Sequence, residues 1–231
     1  MIDFHTHILP NMDDGPKSVE TSLELLSILE KQNVKLVCLT SHFYPNRESI
    51  DDFILRRDNA YKQLDYKGNL ELRLGCEVHY YNGISQSDNL DKLCLENTNI
   101  LLLELPFETI INDNMIREII SLSNRGFKVM LAHIERYDVD EKKIKTWKQN
   151  GIFIQANCEF IIGGFLDRKG LKWLEKGYID VIGTDCHNLN DRKPNYLEAI
   201  NRIKNKFGED FCGNFLERSG KILLWWKRRL Q

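Results

Sequence analysis

MIDFHTH (residues 1–7) reads as a short apolar strand that ends on two histidines, His5 and His7. Residues i and i+2 of a strand face the same way, about 6–7 Å apart. Both imidazoles can therefore turn toward one point. Six further stretches follow the same grammar, an apolar run closing on a polar tip: KLVCLTSH (35–42), NLELRLGCEVH (69–79), NILLLEL (99–105), FKVMLAH (127–133), GIFIQANCE (151–159) and IDVIGTDCH (179–187). Amphipathic segments separate them. Seven strands alternating with helices predict an α/β fold with a parallel sheet.

The helical segments carry their own punctuation. Ser18 can cap a stripe of Val19, Leu23, Leu26 and Leu29, and Ile50, Phe53, Ile54, Tyr61 and Leu64 mark a second helix. Asn112 or Asp113 starts a third through Met115, Ile119, Ile120 and Leu122, with Gly126 placed to end it. Gly151 and Gly177 close shorter segments around Trp147 and Leu174. PNYLEAINRIKNKFG (194–208) repeats an apolar face at helical spacing. No linker or internal repeat divides the chain, so residues 1–231 are expected to form one domain.

Composition narrows the classes of function. Lys plus Arg number 32 against 34 Asp plus Glu, a formal charge of −2, so no bulk basic field argues for a nucleic-acid partner. No apolar run approaches the ~18 residues that span a bilayer. Asp3 and His5 stand where an export signal needs a basic and then an apolar region, so a cytoplasmic protein is expected. Six cysteines are scattered without a CxxC pair, which reads as small buried side chains rather than a disulfide framework or zinc ribbon.

All six histidines fall at or just after a strand tip: His5, His7, His42, His79, His133 and His187. Glu77, Glu104 and Asp185 share that zone. In parallel α/β architectures the C-terminal strand ends and their loops make the active face, so groups far apart in sequence converge there. One histidine on an apolar strand is ordinarily a satisfied core residue; all six at strand tips, with acids, point to a metal site. Asp185 and His187 repeat the i, i+2 pairing of His5 and His7, Glu77 and Glu104 can bridge cations, and Asp14 can reach in from the DDG turn. An imidazole and carboxylate set without thiolates suits Mn²⁺, Fe²⁺ or Zn²⁺. Nine candidate ligands exceed what one ion takes, so the site is expected to be multinuclear.

Arg136 in LAHIERY and Arg192 in DCHNLNDRKP lie beside these tips. Guanidinium forks match phosphate oxygens, which suggests a phosphoester substrate. Metal ions would then deprotonate a water for in-line attack on phosphorus and neutralise the phosphoryl oxygens.

IDFHTHILPNMDDGPKS (2–18), LTSHFYP (39–45), LLLELPF (101–107), LAHIERY (131–137) and GTDCHNLNDRKP (183–194), in this order, resemble the bacterial protein-tyrosine phosphatases of the polymerase and histidinol phosphatase (PHP) superfamily, enzymes of capsule and exopolysaccharide operons. The resemblance implies a distorted (β/α)₇ TIM-like barrel and three divalent metal ions, most often Mn²⁺. Carried over position by position, it places His5, His7, Glu77 and Asp185 on one metal. Glu77 bridges to a second, held by Glu104 and His133, and Asp14, His42 and His187 hold the third. Arg136 and Arg192 match the family's phosphate-binding arginines. The implied substrate is phosphotyrosine on a partner tyrosine autokinase with a tyrosine-rich tail. A phenol leaving group, with a pKa of about 10, needs little help from a general acid, and His42 or Asp14 would supply what is needed. His79 departs from the family pattern, which has an aromatic residue there. It shares a strand face with Glu77 and stays outside the ligand set, with a substrate or supporting role open to it.

Rival readings remain to be weighed. Cys186 and Arg192 form C-x₅-R, the spacing of thiol-dependent tyrosine phosphatases, but the stretch lacks their glycine and a Ser/Thr after the arginine, and it interleaves with His187. A PHP-type small-molecule phosphatase, such as one acting on histidinol phosphate, would share the metal cluster. A polymerase-type exonuclease would need a nucleic-acid groove, which the near-neutral charge does not supply, and a non-catalytic relative would not keep nine ligands. Trp225 and Trp226 beside Lys227, Arg228 and Arg229 suit either a packed terminal helix or a peripheral membrane contact.

Overall fold

The computed structural model describes residues 1–107, 111–164 and 168–224. Each apolar run forms parallel strand, but two of the seven are broken. KLVCLTSH yields β2 (Leu36–Leu39) and β3 (His42–Phe43), and NLELRLGCEVH yields β4 (Glu71–Leu74) and β5 (Glu77–His79). The other five are β1 (Ile2–Thr6), β6 (Ile100–Glu104), β7 (Lys128–Leu131), β8 (Phe153–Asn157) and β9 (Val181–Gly183). The breaks fall at Thr40–Ser41 and Gly75–Cys76; the two broken runs stay paired with each other throughout, bordered by β1 before the breaks and by β6 after them. Thr6 N–H donates to Thr40 Oγ1 at 3.0 Å and Thr40 N–H to Thr6 O at 2.9 Å, while Gly75 N–H reaches Leu39 O. Side-chain bonds thus replace ladder bonds, and the register of β1 against β2 slips between Asp3 and Thr6.

Hydrogen bonding runs β1-β2-β4 on one side of the breaks and β3-β5-β6-β7-β8-β9 on the other, all in parallel. The first and last strands then meet: Asp185 N–H donates to His5 O at 2.8 Å and His7 N–H to Cys186 O at 3.0 Å. Gly183 permits that approach, since a Cβ there would lie 2.6 Å from His5 Cβ. The result is the curled α/β parallel sheet implied by the sequence resemblance, distorted at the two broken staves.

Helices cover the outside. They are α1 (Val19–Lys31), α2 (Ile50–Leu64), α3 (Asp113–Asn124), α4 (Glu141–Gln149), α5 (Cys158–Ile162), α6 (Lys169–Glu175), α7 (Tyr196–Phe207) and α8 (Glu209–Leu224). Ser18 caps α1, and Asn112 rather than Asp113 caps α3 by accepting from Met115 N–H. Tyr61, expected on the apolar stripe of α2, is instead exposed. All six cysteines are buried and unbridged. Among the described residues no helix is long and apolar enough to cross a membrane. The Trp225–Trp226 and basic segment lies outside the described residues.

A compact apolar cluster of Phe4, Leu36, Cys38, Leu102, Met130 and Val181 gathers side chains from strands all around the sheet. Along the same rows, two residues further on, chemistry changes. Leu102 gives way to Glu104, and β8 passes from Phe153 to Gln155 and Asn157. Alternation along β6 and β8 therefore carries these rows from a dry floor to a polar mouth at the C-terminal ends.

Candidate metal centre

The strand tips bring all nine candidate ligands together. His5 and His7 direct their Nε2 atoms to within 3.0 Å of each other, and Glu77 Oε2 lies 3.2 and 3.1 Å from them. Asp185 Oδ1 completes this group at 3.6 and 3.5 Å. On the far side of Glu77, Oε1 is 2.7 Å from His133 Nε2, which is 3.4 Å from Glu104 Oε1. A third group joins Asp14 Oδ1 to His187 Nε2 at 3.1 Å and His42 Nε2 at 3.8 Å, with the His7 and His187 rings stacked 4.0 Å apart. His42 also turns Nδ1 toward Glu77 Oε2 at 3.0 Å and Glu104 Oε2 at 3.7 Å, so its ring links the third group to both others.

Donor atoms within each of three sets lie less than 4.8 Å from one another: His5, His7 and Glu77; His42, Glu77 and Glu104; His7, Asp14, His42 and His187. His42 Nδ1, Glu77 Oε2 and His187 Nε2 are buried without a protein hydrogen bond, although oxygen or nitrogen atoms stand about them. Lone pairs that converge in this way without pairing fit a bound cation, since buried polar atoms otherwise find partners. Glu77, with one oxygen toward each of two groups, has the placement of a bridging carboxylate.

Backbone geometry serves the same convergence. His133 (φ 29°) and Asp185 (φ 53°) both adopt left-handed backbone just past a strand end. L-residues resist that region, and such residues cluster at functional sites. The turn keeps both side chains aimed inward where the strand would have carried them away. Gly15 lets the DDG turn lie against β1, because a Cβ there would stand 2.3 Å from His7 O.

A ring of supporting groups was not legible from residue spacing. Asp13, adjacent to the expected Asp14, has Oδ2 2.8 Å from His7 Nδ1 and also accepts from His42 N–H. Gln155 Oε1 lies 3.2 Å from His5 Nδ1 and accepts from His133 N–H. Tyr137 Oη sits 3.1 Å from His133 Nδ1, and Asn157 donates to Asp185 Oδ2 at 3.0 Å. In metal sites such partners fix ring orientation and tautomer. His79 takes a similar place, with Nδ1 3.0 Å from Glu104 Oε2.

Charge is concentrated here. Burial opposes ionisation of Asp185, but the surrounding imidazoles and Arg136 outweigh it and hold the carboxyl well below its usual range. Burial likewise opposes a proton on His133, yet Glu77 and Glu104 raise its pKa to about 9. At His42 and His187 burial wins, helped by the charge on His7, and both are lowered. The two arginines converge on one carboxylate. Arg136 donates to Asp185 Oδ2, and Arg192 donates to Asp185 Oδ1 at 3.0 Å and to Asp14 Oδ2 at 3.1 Å. Cys186, by contrast, is wholly buried in the core, and burial pushes its thiol well above the usual range. The C-x₅-R spacing therefore does not form a thiolate cradle: its arginine serves Asp185.

Comparisons with known proteins bear on the family and the fold. A family model described as capsular polysaccharide synthesis, CpsB/CapC, matches residues 1–224. The tyrosine-protein phosphatase CpsB of Streptococcus agalactiae serotype V is 28% identical over 244 aligned residues, spanning 96% of this chain and 98% of the relative. CpsB of Streptococcus pneumoniae is 29% identical over 247, covering 97% and 98%. The tyrosine-protein phosphatase YwqE of Bacillus subtilis strain 168 is 26% identical over 240, covering 96% and 91%. A crystal structure from work on B. subtilis YwqE and S. pneumoniae CpsB, described as unique metal-dependent tyrosine phosphatases, superposes with a TM-score of 0.83. It covers 96% of this chain and 94% of its own at 24% identity. The phosphotriesterase homology protein of Escherichia coli shares the fold more distantly, with a TM-score of 0.56 at 11% identity over 93% of this chain and 94% of its own.

Proposed function

The chain belongs to the CpsB/CapC family of capsular polysaccharide synthesis, and from that membership we propose that it is a metal-dependent protein-tyrosine phosphatase, residues 1–231 working as one domain. The observation that carries the reading is the convergence of three largely buried donor groups beside two guanidinium groups that share Asp185. A nearly dry cluster of carboxylates and imidazoles calls for cations, and guanidinium groups at its mouth suit an anion. A phosphate monoester meets both demands.

The ligand set we propose is His5, His7, Glu77 and Asp185 for one cation, Glu77, Glu104 and His133 for a second, and Asp14, His42 and His187 for a third. Three divalent ions, with Mn²⁺ favoured, suit this mixture of nitrogen and oxygen donors without sulfur. When bound, they supply Lewis acidity toward water and toward the phosphoryl oxygens. The chain's own residues do the rest. Arg136 and Arg192 grip the phosphoryl oxygens and steady the charge that builds on them during in-line attack by water. The bond from phosphorus to the phenol oxygen breaks, and tyrosine and inorganic phosphate leave. Asp14 and His42 are the two ligand candidates with solvent access, at 59% and 12% side-chain exposure against 3% or less for the other seven. The proton for the departing phenol falls to one of them.

We take the protein substrate to be a tyrosine autokinase with a tyrosine-rich tail, a reading supported by the capsule family to which the chain belongs. Turnover of a phosphotyrosyl peptide against histidinol phosphate tests the substrate class. Preference for the peptide is expected. Preference for histidinol phosphate would instead make the chain a small-molecule phosphatase on the same metal scaffold.

A further inference from the structure

TSHFYPNRES (40–49) carries β3 straight into a tight turn. Arg47 N–H donates to Tyr44 O at 3.0 Å across Pro45 and Asn46, a turn that proline favours in its second place. The turn brings the Arg47 guanidinium back over the Tyr44 ring, 4.2 Å from its centroid. That ring in turn packs 5.1 Å from His42. The DDG turn brings a second cation to the same donor group: Lys17 donates to Asp13 O, beside Asp14. Lys17 and Arg47 are both exposed. They flank Asp14 and His42, the two ligand candidates open to solvent.

Neither cation is ion-paired among the described residues, although acids stand close to both in the sequence. Those acids are engaged elsewhere. Asp13 faces His7, Asp14 faces His187 and Arg192, Glu48 is held by Arg56, and Asp51 by Lys92. The chain as a whole carries a formal charge of −2. Two uncommitted cations on either side of one opening therefore set up a local positive field against that background.

We propose that Lys17 and Arg47 form a cationic gate on the leaving-group side of the centre, and that the gate selects segments with acidic side chains next to the phosphotyrosine. The inference rests on the phosphatase reading above, in which the phenol departs past Asp14 and His42. The peptide that carries the phenol then emerges between Lys17 and Arg47. Asp or Glu beside the tyrosine meets a guanidinium already held on a ring and an ammonium already held on a turn, so little side-chain freedom is lost on pairing. Lys or Arg in the same places meets like charge. Both gate residues contact the flanks of the substrate and take no part in bond making.

The test uses peptides that carry phosphonomethyl-phenylalanine, which keeps the anionic head and is not hydrolysed. Calorimetric binding to the metal-loaded full chain should favour an Asp-flanked peptide over a Lys-flanked one by about tenfold at low salt. The ratio should shrink at about 0.5 M salt. Joint replacement by Lys17→Glu and Arg47→Glu should reverse the order, and joint replacement by Lys17→Arg and Arg47→Lys should keep it. The ratio is the readout, because a general disturbance of the centre weakens both peptides equally. No Asp preference in the parent chain, or a preference that survives the charge reversal, overturns the proposal; the second result would place the attraction at Arg136, Arg192 and the metal ions instead. Turnover of a phosphotyrosyl peptide is measured alongside. Binding that follows the gate charges without any turnover would overturn the phosphatase reading and leave the gate standing, and turnover without a charge preference would do the reverse.

Discussion

Asp13 Oδ2 lies 2.8 Å from His7 Nδ1, on the side of the ring opposite the Nε2 that faces His5 and Glu77. With a cation bound, the imidazole would be held with its Nδ1 proton on a carboxylate and its Nε2 lone pair toward the centre. His7 contributes to two of the three donor groups, so its orientation matters twice. Asp13→Asn should lower divalent-cation affinity about 10- to 100-fold, the usual cost of losing such a partner. Metal titration of the stripped protein checks this, and wild-type affinity in the variant would show that the contact is incidental.

In the proposed mechanism Arg136 and Arg192 act on the substrate rather than on the metal. Arg136→Ala should lower kcat/KM for a phosphotyrosyl peptide by about 10² while bound metal is unchanged. Arg136→Lys should recover little of that, because a point charge cannot reproduce a planar two-bond contact. Metal analysis of the same preparations separates the two roles, and loss of metal in Arg136→Ala would assign the residue to holding Asp185 instead.

The Cys186 thiol is pushed well above its usual pKa by burial. A raised thiol pKa means less thiolate at every pH below it, so the nucleophile of a thiol mechanism is scarce at neutral pH. Cys186→Ser should keep activity within a few-fold of the parent, and iodoacetamide should be without effect on the folded enzyme. An inactive Cys186→Ser that still holds its metal would revive the thiol mechanism.

Metal uptake should release protons. Burial disfavours a charged His133, but Glu77 and Glu104 override it and raise its pKa to about 9. The metal-free chain therefore holds that proton at neutral pH, and a cation must expel it. Apparent metal affinity should rise with pH until about 9, where this contribution ends. In the metal-free chain the same pairing stabilises the fold fully below the unfolded value near 6.5 and is lost as pH rises through about 9. Calorimetry at pH 7 in buffers of different ionisation enthalpy reads the proton count, and a buffer-independent heat would contradict the assignment.

Much of this centre is written in the strand tips. Each apolar run that ends on a histidine or acid forms strand, and the seven runs place their ends at one face because parallel crossovers leave them no other arrangement. The breaks at Thr40–Ser41 and Gly75–Cys76 are not legible, since an apolar run looks the same whether its strand is interrupted midway or not. Asp13 is hidden for another reason: two adjacent aspartates in one turn are chemically identical until the backbone decides which faces His7. Gln155 and Asn157 carry no charge to draw attention on an otherwise apolar strand. Tyr61 illustrates the limit of helical periodicity, which marks a face without saying how far the packing against it extends.

The central claim is that the three converging donor groups hold catalytic metal. Its most direct test is elemental analysis of the purified chain joined to phosphotyrosyl-peptide turnover before and after exhaustive chelation. Two or more divalent ions per chain, activity abolished by the chelator and activity restored by added Mn²⁺ are the predicted results. Full turnover with fewer than two ions per chain, or turnover indifferent to chelation, would contradict it.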